Sequence, residues 1–386
     1  MSGAPQRRWR SLDALRGLSI AAMILVNNPG RWGAGWQFAP LRHAEWHGCT
    51  FTDLVFPTFL FCAGVAIVPA LGRRLGDRAL SPVALLPGIW LRVARLVALG
   101  IFLSAFPLLT FADGHGLFEP LLSARIPGVL QRIGVCYGLA ATLFLLVSAT
   151  VRRGILLSCL LLYWPLLTLV PVPGQGPPDL SGPQATLAGY VDRAVFGSHI
   201  WVVDSYDPEG LLSTIPALAT TLLGLEAGVL LRRSPEPERR VRRLVAFAAP
   251  LLAVGLAWSF ALPFNKALWT GSYALWTAGI ASLALAACVW LFEVRRFDRL
   301  AVPLSVYGTN ALLVFVGSGL LGRVFGRLWT VSVDGREVPV KSWFFATVLA
   351  PYAPPKVASL VFALLWIVAW YLLLRVLYRR GWFWRV

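Results

Sequence analysis

Long apolar runs recur along the chain, separated by short polar connections that carry arginine. At a minimum of about 17 to 20 residues per bilayer crossing, they predict ten helical spans, at roughly 12–28, 50–71, 88–110, 126–149, 154–172, 211–231, 244–262, 271–293, 302–322 and 357–377. An even number returns the chain to the side on which it began. The connections on that side hold 20 Lys and Arg, the others 10. Basic residues collect in cytoplasmic loops, so both termini are expected in the cytoplasm. The first run follows Arg7, Arg8 and Arg10 as a signal peptide would, but Asp13 and Arg16 interrupt it and Asn27-Asn28-Pro29 stands where a small-residue cleavage site belongs. It is expected to remain. The pattern predicts an all-α polytopic membrane protein, a bundle of about ten transmembrane helices forming one domain over 1–386, with outer segments 29–49, 173–210 and 323–356. The middle segment, rich in Pro and Gly, predicts an ordered lid or loop.

Composition agrees. Of 386 residues, 57% are hydrophobic, only 14% are charged and 17 are tryptophan, too little polar surface to cover a soluble globule. A soluble enzyme is thereby excluded. The net charge of +17 would suit nucleic acid, but the basic residues sit in clusters between apolar runs: Arg73-Arg74-Arg78, Arg152-Arg153, Arg232 to Arg243, Arg295-Arg296-Arg299 and Arg379-Arg380-Arg385. No stripe interleaved with aromatics is formed, which argues against a nucleic-acid partner. The loop RRSPEPERRVRR reads as a solvated orientation signal, with attraction of anionic lipid or a phosphorylated ligand as the second option. Five cysteines, mostly inside apolar runs, imply no disulfide framework.

Ionisable groups inside spans cost about 2.5–3.5 kcal/mol each on insertion scales and so mark partners or wet cavities. Asp13 and Arg16 share a helical face and can neutralise each other. The segment LRHAEWHGCTFTDLVFP is denser, with His43, Glu45, Trp46, His47, Thr50 and Asp53 at the outer lip of the second span. If helical, His43 and His47 share a face, which raises zinc; the order H-x-E-x-H, however, puts the Glu outside the general-base position of H-E-x-x-H, and no metal is expected. A bland interfacial role for these histidines and an acid–base role both remain open; imidazole beside carboxylate is the usual source of a base near neutral pH. Arg132, inside the fourth span, needs an anion or an acid, Asp53 being one candidate. Pro127 is tolerated there as a first-turn residue. Asp207 and Glu209 either cap the sixth span or bind an amino sugar. Asn265 and Lys266 precede the eighth span, and Asn310 lies midway along the ninth.

Taken in order, RSLDALRGLSIAAMILVNNPG, HAEWHGCTFTDLVFPTFLFCAGVAI, RIPGVLQRIGVCY, GYVDRAVFG, YDPEGLLSTI, NKALWTGSY and YGTNALLVFVG resemble blocks of the heparan-alpha-glucosaminide N-acetyltransferase family, and the ending RRGWFWRV is similar too. The resemblance covers nearly the whole chain. It implies a bundle that carries acetyl groups from cytosolic acetyl-CoA to an amine across the membrane, and a homodimer. The family's active histidine falls on His43, and its asparagine, fourteen residues after the Asp of the D-x-x-R-G block, falls on Asn27. Animal members have Asn where His47 stands, the Asn27 to His43 segment is longer here, and the animal lumenal N-terminal domain has no counterpart. A smaller glucosamine-containing sugar or envelope saccharide is therefore expected as acceptor.

On this reading His43 acts as base or transient nucleophile, with Asn27 and Asp53 beside it. His47, Trp46, Asp207, Glu209, Asn265 and Lys266 are expected to bind the sugar. Arg16, Arg92 and Arg95, with Arg132 and Asn310, are expected to hold acetyl-CoA, since guanidinium forks suit phosphate; plain inside-facing anchors are the alternative for the first three. The expected site is a bacterial inner membrane, with lipids as neighbours. The rival function is a secondary transporter of a sugar or organic ion, for which intramembrane Asp, Arg and Asn also serve.

Overall fold

The computed structural model describes residues 9–78, 81–109 and 116–384. Arg7, Arg8, residue 110, Arg385 and Val386 of the predicted clusters and spans lie outside the described residues, as do the side chains of Arg73 and Arg78. Among the described residues, nine helices are long and apolar enough to cross a membrane: Phe51–Gly72, Pro82–Ala105, Val129–Leu146, Ala149–Thr168, Thr214–Arg232, Pro237–Ser259, Gly271–Val294, Ala311–Leu328 and Pro355–Arg379. The tenth predicted span is the helix Arg10–Asn27, whose Arg10, Asp13 and Arg16 make it less apolar. Its 18 residues rise about 27 Å, close to the hydrocarbon thickness. Leu364, Leu365, Val368, Leu372, Leu373 and Val376 are exposed along the last helix, an apolar surface that suits acyl chains.

Several boundaries differ from the hydrophobic pattern, each for a local reason. Val129–Leu146 starts after Gly128, so Pro127 precedes the helix instead of entering its first turn, and Arg132 lies in that first turn, its N–H bonded to the Gly128 carbonyl at 2.9 Å. Ser148 accepts from Val151 N and begins the next helix at Ala149, which draws Arg152 and Arg153 out of the predicted connection and into the helix. The ninth predicted span is two helices, Asp298–Thr309 and Ala311–Arg323, broken at Asn310. The outer segment 323–356 contains a hairpin, Thr330–Val333 paired with Arg336–Pro339. Its turn residues Asp334 and Gly335 both have positive φ, 51° and 74°, the backbone of the tight hairpin turns that favour Asp-Gly.

The described residues form two compact units. The first takes its residues from Met1–Arg42, Arg233–Ala246 and Ser282–Arg385, the second from His43–Arg232 and Phe247–Ala281. In the first unit, Ser11 donates to Glu293 at 2.5 Å, and Arg240 pairs with the same carboxylate at 2.6 Å. In the second, helix Phe51–Arg78 lies against Thr214–Arg232 with almost nothing between the backbones. A Cβ on Gly64 would fall 1.9 Å from the Thr221 carbonyl oxygen, and one on Gly224 2.1 Å from that of Phe61. Small residues permit this approach, and packing between helices in lipid rests on it. Arg152 and Arg153 both pair with Glu226 of this helix, at 2.7 and 3.0 Å, so they are ion-paired within the unit as well as basic.

Candidate active site

The site is built at the start of helix Phe51–Arg78. Thr50, Phe51, Thr52 and Asp53 form a T-x-x-D capping box: Asp53 Oδ2 accepts from Thr50 N and Thr50 Oγ1, both at 3.0 Å. The same oxygen accepts from Ala44 N at 3.0 Å, which folds the preceding loop over the helix end. Oδ1 is left for His43 Nδ1 at 2.6 Å. A carboxylate facing Nδ1 assigns the imidazole proton to Nδ1 and leaves the Nε2 lone pair free. Asp53 is buried and the His43 side chain is 48% exposed, so the pair presents a base at an open edge. Tyr273 fixes the helix end from below, its hydroxyl donating to the Asp53 carbonyl at 2.6 Å.

The stretch around His43 and His47 is irregular, not helical. Asp53 pins Ala44 and Thr50, and Gly48 N donates to the Phe264 carbonyl at 2.7 Å with φ at 123°. The shared helical face on which a zinc pair would depend is therefore not formed. Among the described residues no group of three or more His, Cys, Asp or Glu converges as a metal shell. His47 instead lies 3.4 Å from Asn265 Nδ2. Asn265 Oδ1 accepts from Leu268 N at 2.8 Å, forming a tight loop that carries Lys266 to His43: its Nζ is 3.2 Å from Nδ1 and 3.3 Å from Nε2. Trp46 turns the other way. Its Nε1 donates to Leu180 O at 2.7 Å and its ring meets Tyr206 edge-on at 5.4 Å, packing against the buried cluster of Tyr163, Leu167, Ala188 and Leu268.

The segment 173–210 is ordered and contains helix Leu187–Phe196, capped by Thr186. Asp192 of that helix accepts from Leu211 N at 2.8 Å and Asp207 N at 3.2 Å, and burial pushes its carboxyl up to about 6. The loop so held carries Asp207 and Glu209. Neither caps the Thr214–Arg232 helix: Asp207 takes Trp201 N and Glu209 N, both at 2.8 Å, and both carboxylates pair with Arg125, which stacks 5.0 Å over the Trp201 ring. Burial pushes Glu209 up, but Arg125, Arg132 and Lys266 together outweigh it and leave the carboxyl below its ordinary value. Arg132 finds its partners here and not at Asp53: Nη1 donates to Pro208 O at 3.0 Å, Nη2 to Gly210 O at 2.9 Å and to Ser213 Oγ. Its guanidinium lies 5.3 Å over Trp269. Cys49, beside Asp53, is raised to about 12 by burial and by that carboxylate, so it remains a thiol.

His43, Trp46, His47, Asp53, Arg132, Asp207, Glu209, Asn265 and Lys266 thus all fall in the second unit, bound into one network by hydrogen bonds, stacking and charge. Arg92 and Arg95 lie in that unit outside this network, exposed on helix Leu86–Ala105, Arg92 standing 4.7 Å over the Tyr137 ring. Asn27, Arg16 and Asn310 belong to the first unit. Asn27 is exposed at the end of its helix, and Arg16 lies 3.9 Å from Asp13. The Asn310 amide is taken up by the chain end, donating to Trp382 O at 3.1 Å and accepting from Trp384 N at 2.9 Å. Arg125 and Asp192 were missed as site residues; two acidic side chains in YDPEG without a basic neighbour in sequence were the available signal.

Residues 8–255 match the sequence profile of the family described as "Heparan-alpha-glucosaminide N-acetyltransferase, catalytic". The chain is 29% identical over 431 aligned residues to human heparan-alpha-glucosaminide N-acetyltransferase and 29% identical over 433 to the mouse protein. Each alignment covers 98% of this chain and 60% of the relative, so the chain spans about 60% of the length of these curated proteins. A profile match over well more than half the chain, together with alignment over nearly all of it, shows that the chain belongs to the heparan-alpha-glucosaminide N-acetyltransferase catalytic family.

Proposed function

We propose that this protein transfers an acetyl group from acetyl-CoA, taken up on the cytoplasmic side of a bacterial inner membrane, to the amine of a glucosamine-type sugar on the opposite side. The observation that carries the reading is the His43–Asp53 pair, with Nδ1 held at 2.6 Å and Nε2 unclaimed by the carboxylate. The names of the human and mouse relatives supply the substrate class. The excess of Lys and Arg on alternate connections supports cytoplasmic termini. A polyanionic coenzyme does not cross the bilayer, so its nucleotide end stays on the cytoplasmic side, where Arg92 and Arg95 are proposed to act, while the thioester reaches the outer site.

There His43 Nε2 takes the proton of the attacking amine as nitrogen bonds to the acetyl carbon. The carbon–sulfur bond then breaks, and the proton passes to the departing thiolate. In the two-step route Nε2 itself attacks first and expels the coenzyme thiolate, giving an acetyl-imidazolium that the amine then cleaves, restoring the imidazole, with the amine proton passing to the thiolate. Trp46, Glu209 and Asn265 are proposed to bind the sugar.

The test is transfer of label from acetyl-CoA, supplied on the cytoplasmic side of oriented proteoliposomes, to glucosamine on the other side. Transfer by the wild-type protein and none by His43→Ala, with acetyl-CoA binding retained, is expected. Sugar flux that is independent of acetyl-CoA, with no acetylated product, overturns the reading in favour of a transporter.

A further inference from the structure

Lys266 Nζ is almost equidistant from the two ring nitrogens of His43, 3.2 Å from Nδ1 and 3.3 Å from Nε2. An ammonium in the ring plane at those distances would overlap the carbon between the nitrogens or the bond opposite. It therefore stands over the face of the imidazole. In that position it takes neither in-plane hydrogen-bonding direction: Nδ1–H remains with Asp53, and the Nε2 lone pair remains open at the exposed edge. A cation on the face of a neutral ring is attracted by its π-electrons, whereas the same cation against an imidazolium is repelled.

We propose that Lys266 is a positioning residue, not a sugar ligand: its ammonium holds His43 in the neutral, base-competent form and hastens loss of the proton that His43 takes up. The inference rests on the acetyltransferase reading for its catalytic consequence, but the His43–Lys266 coupling exists without it. As the amine attacks, its proton moves to Nε2 and makes an imidazolium under a cation. Repulsion then favours passing the proton to the sulfur as the carbon–sulfur bond breaks, which returns the ring to neutrality with no net change in protons.

Charged and titratable groups face this pair from several surrounding elements. Asp53 comes from helix Phe51–Arg78 and Cys49 from the loop before it, with Glu45 and His47 on the same loop. Glu209 and Arg132 come from the second flank, and Tyr273 from helix Gly271–Val289. Burial, with Arg132, brings the Lys266 amine below its ordinary value, and Glu209 and Asp53 oppose that by favouring the charged form. The two outer partners thus pull His43 in opposite directions: Asp53 favours the imidazolium and Lys266 disfavours it.

The test measures the His43 titration directly. Diethylpyrocarbonate modifies neutral imidazole, so the pH midpoint of modification at the His43 peptide, read by mass spectrometry on the purified full-length protein, needs no substrate. Lys266→Met is expected to raise that midpoint by about 1–2 pH units, Lys266→Arg to leave it within a few tenths, and Asp53→Asn to lower it. Lys266→Gln is a second neutral variant should Lys266→Met not fold, with a monodisperse elution profile as the criterion. The acid limb of the acetyl-transfer rate is expected to move with the midpoint, with kcat affected and the KM for the sugar changed less than twofold. An unmoved midpoint in the neutral variants overturns the inference, as does a sugar KM that rises while the pH profile stays in place. A shifted midpoint in a protein that transfers no acetyl group leaves the coupling standing and overturns the proposed function alone.

Discussion

Replacing Asp53 by Asn separates the orientation of His43 from its presence. Four donors converge on the carboxylate: His43 Nδ1 at 2.6 Å on Oδ1, and Ala44 N, Thr50 N and Thr50 Oγ1, each at 3.0 Å, on Oδ2. An asparagine has one acceptor oxygen. Turned toward the loop, the oxygen keeps the three Oδ2 contacts and the amide NH2 faces His43; turned toward His43, it keeps one contact and sets its NH2 against three donors. At about 1 kcal/mol per neutral hydrogen bond the first arrangement is favoured by about 2 kcal/mol, roughly thirtyfold. His43 Nδ1 must then accept, its proton moves to Nε2, and the base is lost while the fold is kept. The expected result is a fall in kcat of about thirtyfold, set by the fraction of His43 left in the base-competent tautomer, with a stability loss of about 1–2 kcal/mol from one charge-assisted bond. Steady-state transfer from acetyl-CoA at saturating sugar and a thermal unfolding scan in detergent measure the two. A kcat within tenfold of wild type in a protein that remains folded refutes the argument that Asp53 sets the His43 tautomer.

Two further outcomes follow from the flank of the site. Arg125→Met leaves Asp207 and Glu209 buried without their shared guanidinium and should cost about 3–5 kcal/mol, measured by unfolding in detergent, with partial recovery when Asp207→Asn is added; a cost below about 1 kcal/mol contradicts the pairing. Asp192 is raised from 3.8 to about 6, so the folded protein holds this proton more tightly than the unfolded one. The Asp192 contribution to stability is then fully present below about pH 4 and is lost toward pH 6 by up to about 1.4 kcal/mol per unit, a component of the pH dependence that Asp192→Asn should remove.

What could be read from the residue pattern was whatever many residues report together. The spans were legible because a bilayer demands about 20 apolar residues per crossing, a requirement that no single substitution hides. His43 and Asp53 were legible as polar residues at the lip of one span, but not as a pair, because ten positions of chain separate them and only the fold brings them together. The T-x-x-D box that binds Asp53 to Thr50 and the Asp334-Gly335 turn are both present in the letters. The i, i+4 spacing of His43 and His47 would place them on one face only in a helix, and three backbone hydrogen bonds to Asp53 and Phe264 make that stretch a loop.

Contacts between distant segments depended on which helices meet, and no local period records that. Arg125 lies 82 and 84 positions from Asp207 and Glu209, and Lys266 lies 223 from His43. Burial shows that a charge needs a partner without naming it: Asp53 is only one candidate for Arg132 in the sequence, and the carbonyls of Pro208 and Gly210 are what the fold brings to it. The close crossing at Gly64 and Gly224 and the capture of the Asn310 amide by the chain end are of the same kind. Hydrophobic periodicity sums a small free energy over a whole face and so is written along the chain. A buried polar contact concentrates its energy in one pair of atoms, and only the packed fold decides which pair that is.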